Sequence, residues 1–200
     1  MTGYERVCRA IAFQKPDRIP LWRINDEPQL GDVFSYDMRL QRELPPVEGR
    51  PREFLSEWGY VFQMLENGTL GLPHQPALAS WDGLDQYRLP SPDPETRFRG
   101  LPGFLQASEG YYRLAMCAIN GFNTFTFIRG FENAMSDLYE EPERCEVLLG
   151  RVFDWEKEMI SLCAASGFHG YHIGDDLGTQ QSLLISPRLW QSMILPKYAY

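Results

Sequence analysis

From residue 110 onward the chain alternates short apolar runs with amphipathic helical stretches, and this alternation narrows its fold more than any other feature. Tyr112–Ile119 (YRLAMCAI) reads as a buried strand closed by Asn120-Gly121. Phe122–Tyr139 sets Phe127, Phe131, Ala134, Met135 and Leu138 on one helical face. Pro142 then opens a longer helix. In it Val147, Leu148, Val152, Trp155, Met159, Leu162 and Cys163 recur at three and four until Gly167. Gly170–Gly174 (GYHIG) reads as a strand, Asp175–Gln181 as a polar loop, and Ser186-Pro187 as the cap of a last helix through Leu195. Strands separated by crossover helices run parallel, so the fold class is α/β.

The first half gives a weaker pattern. Thr2-Gly3-Tyr4-Glu5 is a capping box, and Tyr4, Val7, Cys8, Ile11 and Ala12 follow at helical spacing. That helix is expected to stop near Gln14, before the turn-forming Lys15-Pro16-Asp17-Arg18, with Ile19–Trp22 as a short strand. Residues 25–57 are polar and broken by Pro45, Pro46 and Pro51, which predicts irregular structure with one helix over Val33–Leu44. Trp58–Leu65 reads as a strand or hairpin arm. The Pro- and Gly-rich residues 71–95 read as a long surface connection with a short helix at Trp81–Tyr87, and Pro94–Gln106 as a further helical candidate.

Composition removes several function classes. With 44% hydrophobic residues over 200 positions the chain buries a core. A net charge of -8 opposes nucleic acid and anionic membranes, so neither is an expected partner. The four cysteines (Cys8, Cys117, Cys145 and Cys163) are scattered without a CxxC pair, which suits reduced, mostly buried thiols. No secretory signal opens the chain, and no apolar run approaches the roughly 20 residues of a membrane span. Together these point to the cytoplasm.

The polar residues that could carry chemistry fall on loops after strands. Arg23, Asn25, Asp26 and Glu27 follow the first strand, Asn120 and Asn123 follow YRLAMCAI, and Asp175, Asp176, Thr179 and Gln180 follow GYHIG. Asp175-Asp176, between Gly174 and Gly178, is the sharpest candidate. One reading makes these carboxylates catalytic groups or substrate anchors; the other makes one a loop cap and the other a solvated charge. His172 lies within the strand and reads as a core or substrate-lining histidine. His169 and His172 are poorly spaced as a ligand pair. Arg129, Glu132, Asn133 and Asp137 read as a polar helix face, with Arg129 paired to Glu132 or Asn133.

Three segments carry a resemblance to a known family. ERVCRAIAFQKPDRIP, TFIRGFENAMSDLYEEPE and GFHGYHIGDDLGTQQSLLISPRLWQSMILPKY resemble, in order, three motifs of the uroporphyrinogen decarboxylase family, which includes corrinoid-dependent methyltransferases. The resemblance implies a TIM (β/α)8 barrel. Since a complete one takes about 250 residues, the chain would be a single, truncated domain covering the N-terminal half to two-thirds of it. It also implies catalytic roles for Asp175 and Asp176, and substrate binding by Arg23, Asn120, Gln180 and His172.

Two chemistries fall within the family. The decarboxylase works without a cofactor and binds its octa-anionic substrate through an arginine-rich motif after the first strand. The corresponding stretch here, LWRINDEPQLG, has one arginine and two acids. The methyltransferase branch moves a methyl group between a corrinoid protein and a thiol or similar acceptor, using zinc whose ligands would lie beyond residue 200. The charge argument favours methyl transfer, with decarboxylation as the alternative. A non-catalytic half-barrel that associates with a partner chain is the reading from another class. A different sugar- or acid-processing barrel, using Asp175 and Asp176 as acid and base, is a further one. Expected partners are a small-molecule substrate and a corrinoid protein, with a homodimer as one form of assembly.

Overall fold

A computed structural model describes residues 1–23, 30–38, 46–66, 70–117 and 121–199, the side chains of Pro51, Leu70 and Leu72 excepted. In chain order these residues form α1 (Gly3–Ile11), β1 (Val33–Asp37), β2 (Pro46–Val47), β3 (Arg50–Leu55), β4 (Val61–Met64) and β5 (Leu70–Gln75). Then come α2 (Pro94–Arg97), α3 (Leu101–Ala107), β6 (Tyr112–Met116), α4 (Gly121–Arg129), α5 (Phe131–Glu140), α6 (Pro142–Ala165) and β7 (Gly170–His172). The last helix begins as α7 (Pro187–Leu189), passes through a π-helical turn at Trp190–Ile194 and ends as α8 (Leu195–Tyr198).

Two sheets replace the barrel that the sequence suggested. One has three parallel strands in the order β1-β6-β7; the other has four antiparallel strands in the order β2-β3-β4-β5. Among the described residues neither sheet closes on itself, so the TIM (β/α)8 barrel, or the half to two-thirds of one, is not this fold. The cause lies in the connections of residues 46–75. Gly49 and Gly59 sit at φ +70° and +84°, conformations that glycine adopts without steric cost, and they close tight turns. A tight turn sends the next strand back antiparallel, whereas a parallel barrel needs a crossover helix between neighbours.

The chain divides into two compact units, each assembled from three stretches of sequence. The first comprises Met1–Arg42, Pro92–Ala118 and Glu158–Gly174. Its sheet pairs Val33 with Tyr112 and Met116 with His172, and Trp22 adds one parallel bridge to Val33. The expected first strand, Ile19–Trp22, is thus reduced to that bridge. The expected helix over Val33–Leu44 is instead β1 as far as Asp37. Buried Val33 and Tyr36 stand three apart, as on a helix, but a parallel strand covered on both faces need not alternate. Tyr36, Phe104 and Phe168 pack as a ring cluster behind it, with centroids 5.0 to 5.6 Å apart.

The Pro-Asp-Arg motif is the keystone of this unit. Fully buried Asp32 accepts from the Leu21 N–H at 2.8 Å, from Arg18 at 2.7 and 3.0 Å, and from Arg6 Nη1. Arg6 also grips Asp17 through Nε and Nη2 at 2.6 and 2.8 Å. Burial alone would push the Asp32 carboxyl upward. The guanidinium of Arg18, the Leu21 amide and Arg6 outweigh it and hold the group below the usual carboxylate range. Two charges of each sign therefore lock α1 to the segment leading into the sheet. The capping box of α1 forms as read, with the Glu5 N–H on Thr2 Oγ1 at 3.1 Å and the Thr2 N–H on Glu5 at 2.9 Å.

The second unit comprises Glu43–Ser91, Ile119–Lys157 and Asp175–Tyr200. Its core holds Phe122, Phe125, Ile128, Leu138, Leu148 and Leu149, all essentially without exposure, and an edge-on pair of Trp58 and Trp155 at 4.8 Å. The expected single helix Phe122–Tyr139 is broken at Gly130, φ +85°, into α4 and α5. That break brings Arg129 to Asp137, Nε to Oδ2 at 2.6 Å, and so the expected pairing with Glu132 or Asn133 is corrected. Arg129 also donates to the Leu78 carbonyl at 2.7 Å and stacks 4.7 Å above the Trp81 ring. Of the connection 71–95, Leu70–Gln75 is β5 and Trp81–Gly83 is a single 3₁₀ turn. No described helix is long and apolar enough to cross a membrane.

Candidate functional site

The acidic loop after β7 meets the start of α4, and this is where the candidate site lies. Gly121, φ +47°, opens α4 with no side chain. A Cβ there would stand 2.6 Å from Asp175 Oδ2 and 2.7 Å from the Phe153 ring, so glycine is what lets the carboxylate reach the helix end. Asp175 accepts the Phe122 N–H at 2.9 Å and the Asn123 N–H at 2.8 Å, and Tyr198 of α8 donates its hydroxyl to the same carboxylate. Two of the orphan amides of α4 are thereby satisfied by a residue more than fifty positions away. Burial raises the Asp175 carboxyl to about 6, against the pull of Tyr198 and the two amides, and the neighbouring Asp176 charge adds to the rise. Burial also raises the Tyr198 phenol, reinforced by Asp175 and Glu156.

Asp176 makes none of these contacts. It is exposed, its Oδ2 lies 3.4 Å from Asn123 Nδ2, and it lines a cleft of about 180 Å³. Pro73, Pro76, Phe122, Phe127, Phe131 and Leu184 form the apolar walls. Asn123 and Thr126 are the other polar lining residues, and the Thr126 hydroxyl is committed to the Asn123 carbonyl at 2.8 Å. Phe127 is fixed from behind by Tyr60 and Phe62, with ring centroids 5.5 and 6.2 Å away. Among the described residues Asp176 is the one charged side chain in the lining.

Of the expected site residues, Asp176 is the one in the described lining of the cleft. Thr179 folds its loop back on itself, accepting the Gln181 and Ser182 amides on its hydroxyl at 3.2 and 3.1 Å. Gln180 is left exposed at the tip, and it is not a lining residue. His172 belongs to the first unit, where it packs edge-on against Trp22 at 5.2 Å and its Nδ1 is buried without a hydrogen-bond partner. Arg23 is exposed in that same unit. Asn120, with Asn25, Asp26 and Glu27, lies outside the described residues. His169 Nδ1 accepts the Arg113 N–H at 3.0 Å, and burial together with the Arg113 charge lowers its pKa.

Sequence reasoning missed Tyr198 as the partner of Asp175 and the phenylalanines as cleft walls. The Pro-x-Tyr ending of the third motif was the available signal for the former. Among the described residues no three of His, Cys, Asp and Glu are placed to hold a metal ion. The zinc that the resemblance implies has its expected ligands beyond residue 200. Burial pushes the Cys145 and Cys163 thiols up to about 12, which removes them as nucleophiles. Compared with family models, curated proteins and solved structures, the chain matches none of them.

Proposed function

We propose that the chain is a divergent enzyme related to the uroporphyrinogen decarboxylase family, acting in methyl transfer between a corrinoid protein and a small acceptor, with its substrate in the cleft beside Asp176. One observation carries the choice of reaction class: the cleft is small, apolar and edged by a single negative charge among the described residues. Uroporphyrinogen is a tetrapyrrole with eight carboxylates. It would be repelled by Asp176, and its ring exceeds a cleft of about 180 Å³ when pockets for drug-sized ligands span roughly 300–1,000 Å³. A methyl acceptor of a few heavy atoms meets neither obstacle.

Within this reading the two carboxylates divide the work. Asp176 touches the substrate. Asp175 is a positioning residue that ties the loop to the amides of α4 and so fixes where Asp176 stands. The corrinoid, on its own protein, supplies a cobalt-bound methyl group.

The test is the demethylation of methylcobalamin by a small thiol, followed by the visible spectrum of the corrinoid. Protein-dependent demethylation that falls in Asp176→Asn supports the reading. Silence with a panel of thiols, or carbon dioxide release from uroporphyrinogen, overturns it.

A further inference from the structure

The chemistry of the same cleft points to a definite ligand class. Its walls are carbon, contributed largely by Phe127, Phe131, Pro73 and Pro76. A ligand must therefore present apolar surface, because burying an unpaired polar group there costs free energy. At the rim stands one carboxylate. Among the described residues no lysine or arginine forms an ion pair with Asp176; its polar neighbour is the Asn123 amide at a loose 3.4 Å. The charge is thus open to a cation from solution, and a protein of net charge -8 concentrates cations about itself.

Which cation follows from hydrogen-bond arithmetic. A primary ammonium has three N–H donors and is strongly hydrated. Beyond Asp176 the polar lining of the cleft is Asn123 and Thr126, and the rest of the wall is carbon, which cannot replace the water that a primary ammonium would give up. A methylated ammonium has fewer N–H groups or none. It spreads its charge over methyl groups, which suit apolar walls, and aromatic rings attract such a cation electrostatically. The volume agrees: about 180 Å³ is close to the roughly 150 Å³ cavity that accommodates benzene, the scale of a trimethylammonium group.

We propose that the cleft binds a small methylated ammonium cation, its charge beside Asp176 and its methyl groups against the rings of Phe127 and Phe131. This rests on the reading of the cleft as a binding site for a small ligand, which a quaternary cation occupies without itself being the methyl acceptor. It does not depend on the methyl-transfer reaction.

The test compares choline with 3,3-dimethyl-1-butanol, its neutral isostere, by calorimetric titration of the whole chain. Choline is expected to bind at least about tenfold more tightly than the isostere. Asp176→Asn should remove that preference, and Phe131→Ala, at a half-exposed ring, should weaken choline severalfold. Equal binding of both ligands, choline binding untouched in Asp176→Asn, or no binding of choline at millimolar concentration would each overturn the proposal. Choline binding with a silent methylcobalamin assay leaves this inference standing and removes the reaction. Methyl transfer without cation binding does the reverse.

Discussion

Replacing Asp175 with asparagine removes a buried charge while keeping an acceptor for one of the two amides at the start of α4. In the folded protein this carboxyl titrates near 6, raised from an ordinary 3.8 chiefly by burial. A folded pKa above the unfolded one means that the folded chain binds the proton more tightly, so the stability this group contributes is full below about pH 4 and is lost as pH rises to about 6. At about 1.36 kcal/mol per unit, the loss is on the order of 3 kcal/mol. The Asp175→Asn variant has no such dependence. It leaves one amide of α4 facing an NH₂ group, a constant cost of about 1–3 kcal/mol. Urea unfolding of both proteins from pH 4 to pH 7 separates the two effects, because titrating groups that do not interact with Asp175 cancel in the difference. Asp175→Asn should be the less stable protein at pH 4 and should gain about 2–3 kcal/mol relative to wild type by pH 7. Difference curves that stay flat across this range would refute the placement of Asp175 as a buried carboxylate.

Other perturbations have their own signatures. Asp32→Asn strands Arg6 and Arg18 around a lost charge and should cost about 3–5 kcal/mol, read as a fall in urea midpoint. Because the Asp32 carboxyl is held down in the fold, wild-type stability from this group should be present above about pH 4 and lost on acidification below it, the opposite sense to Asp175. Gly121→Ala meets both a positive φ and the Asp175 carboxylate, and should lower stability by about 2–4 kcal/mol in thermal unfolding. Under native conditions a thiol reagent should label Cys8 and Cys117 first, with Cys145 and Cys163 protected until the chain unfolds.

What was legible in the sequence was local. The capping box at Thr2 and Glu5, the apolar stripe of α6 and the Ser186-Pro187 helix start each specify structure within a few residues, and each stands as read, except that Val147 of the stripe is exposed. Of the antiparallel sheet β4 was legible, within Trp58–Leu65, but β2, β3 and β5 were not, because they take their identity from pairing across turns. The barrel inference failed for the same reason. Alternation after residue 110 does give parallel strands, but it says nothing of residues 46–75. At the site, adjacent acids flanked by glycine singled out Asp175 and Asp176. What divides them, one against amides fifty-two and fifty-three positions earlier and one at a cleft, is set by tertiary structure. Arg129 shows the same limit: its partner Asp137 is eight residues on, beyond helical reach until Gly130 turns the chain.

The interleaving of the two units has a consequence for how the chain acquires its structure during synthesis. Each unit draws on three separate stretches, and the second takes its final stretch from Asp175 onward. As the polypeptide leaves the ribosome amino end first, α4 emerges long before the carboxylate that satisfies its first amides. Neither unit can be finished vectorially, segment after segment. The nascent chain must keep aromatic surfaces such as Phe122 and Phe125 waiting for partners, and it is in that interval that a chaperone would find it.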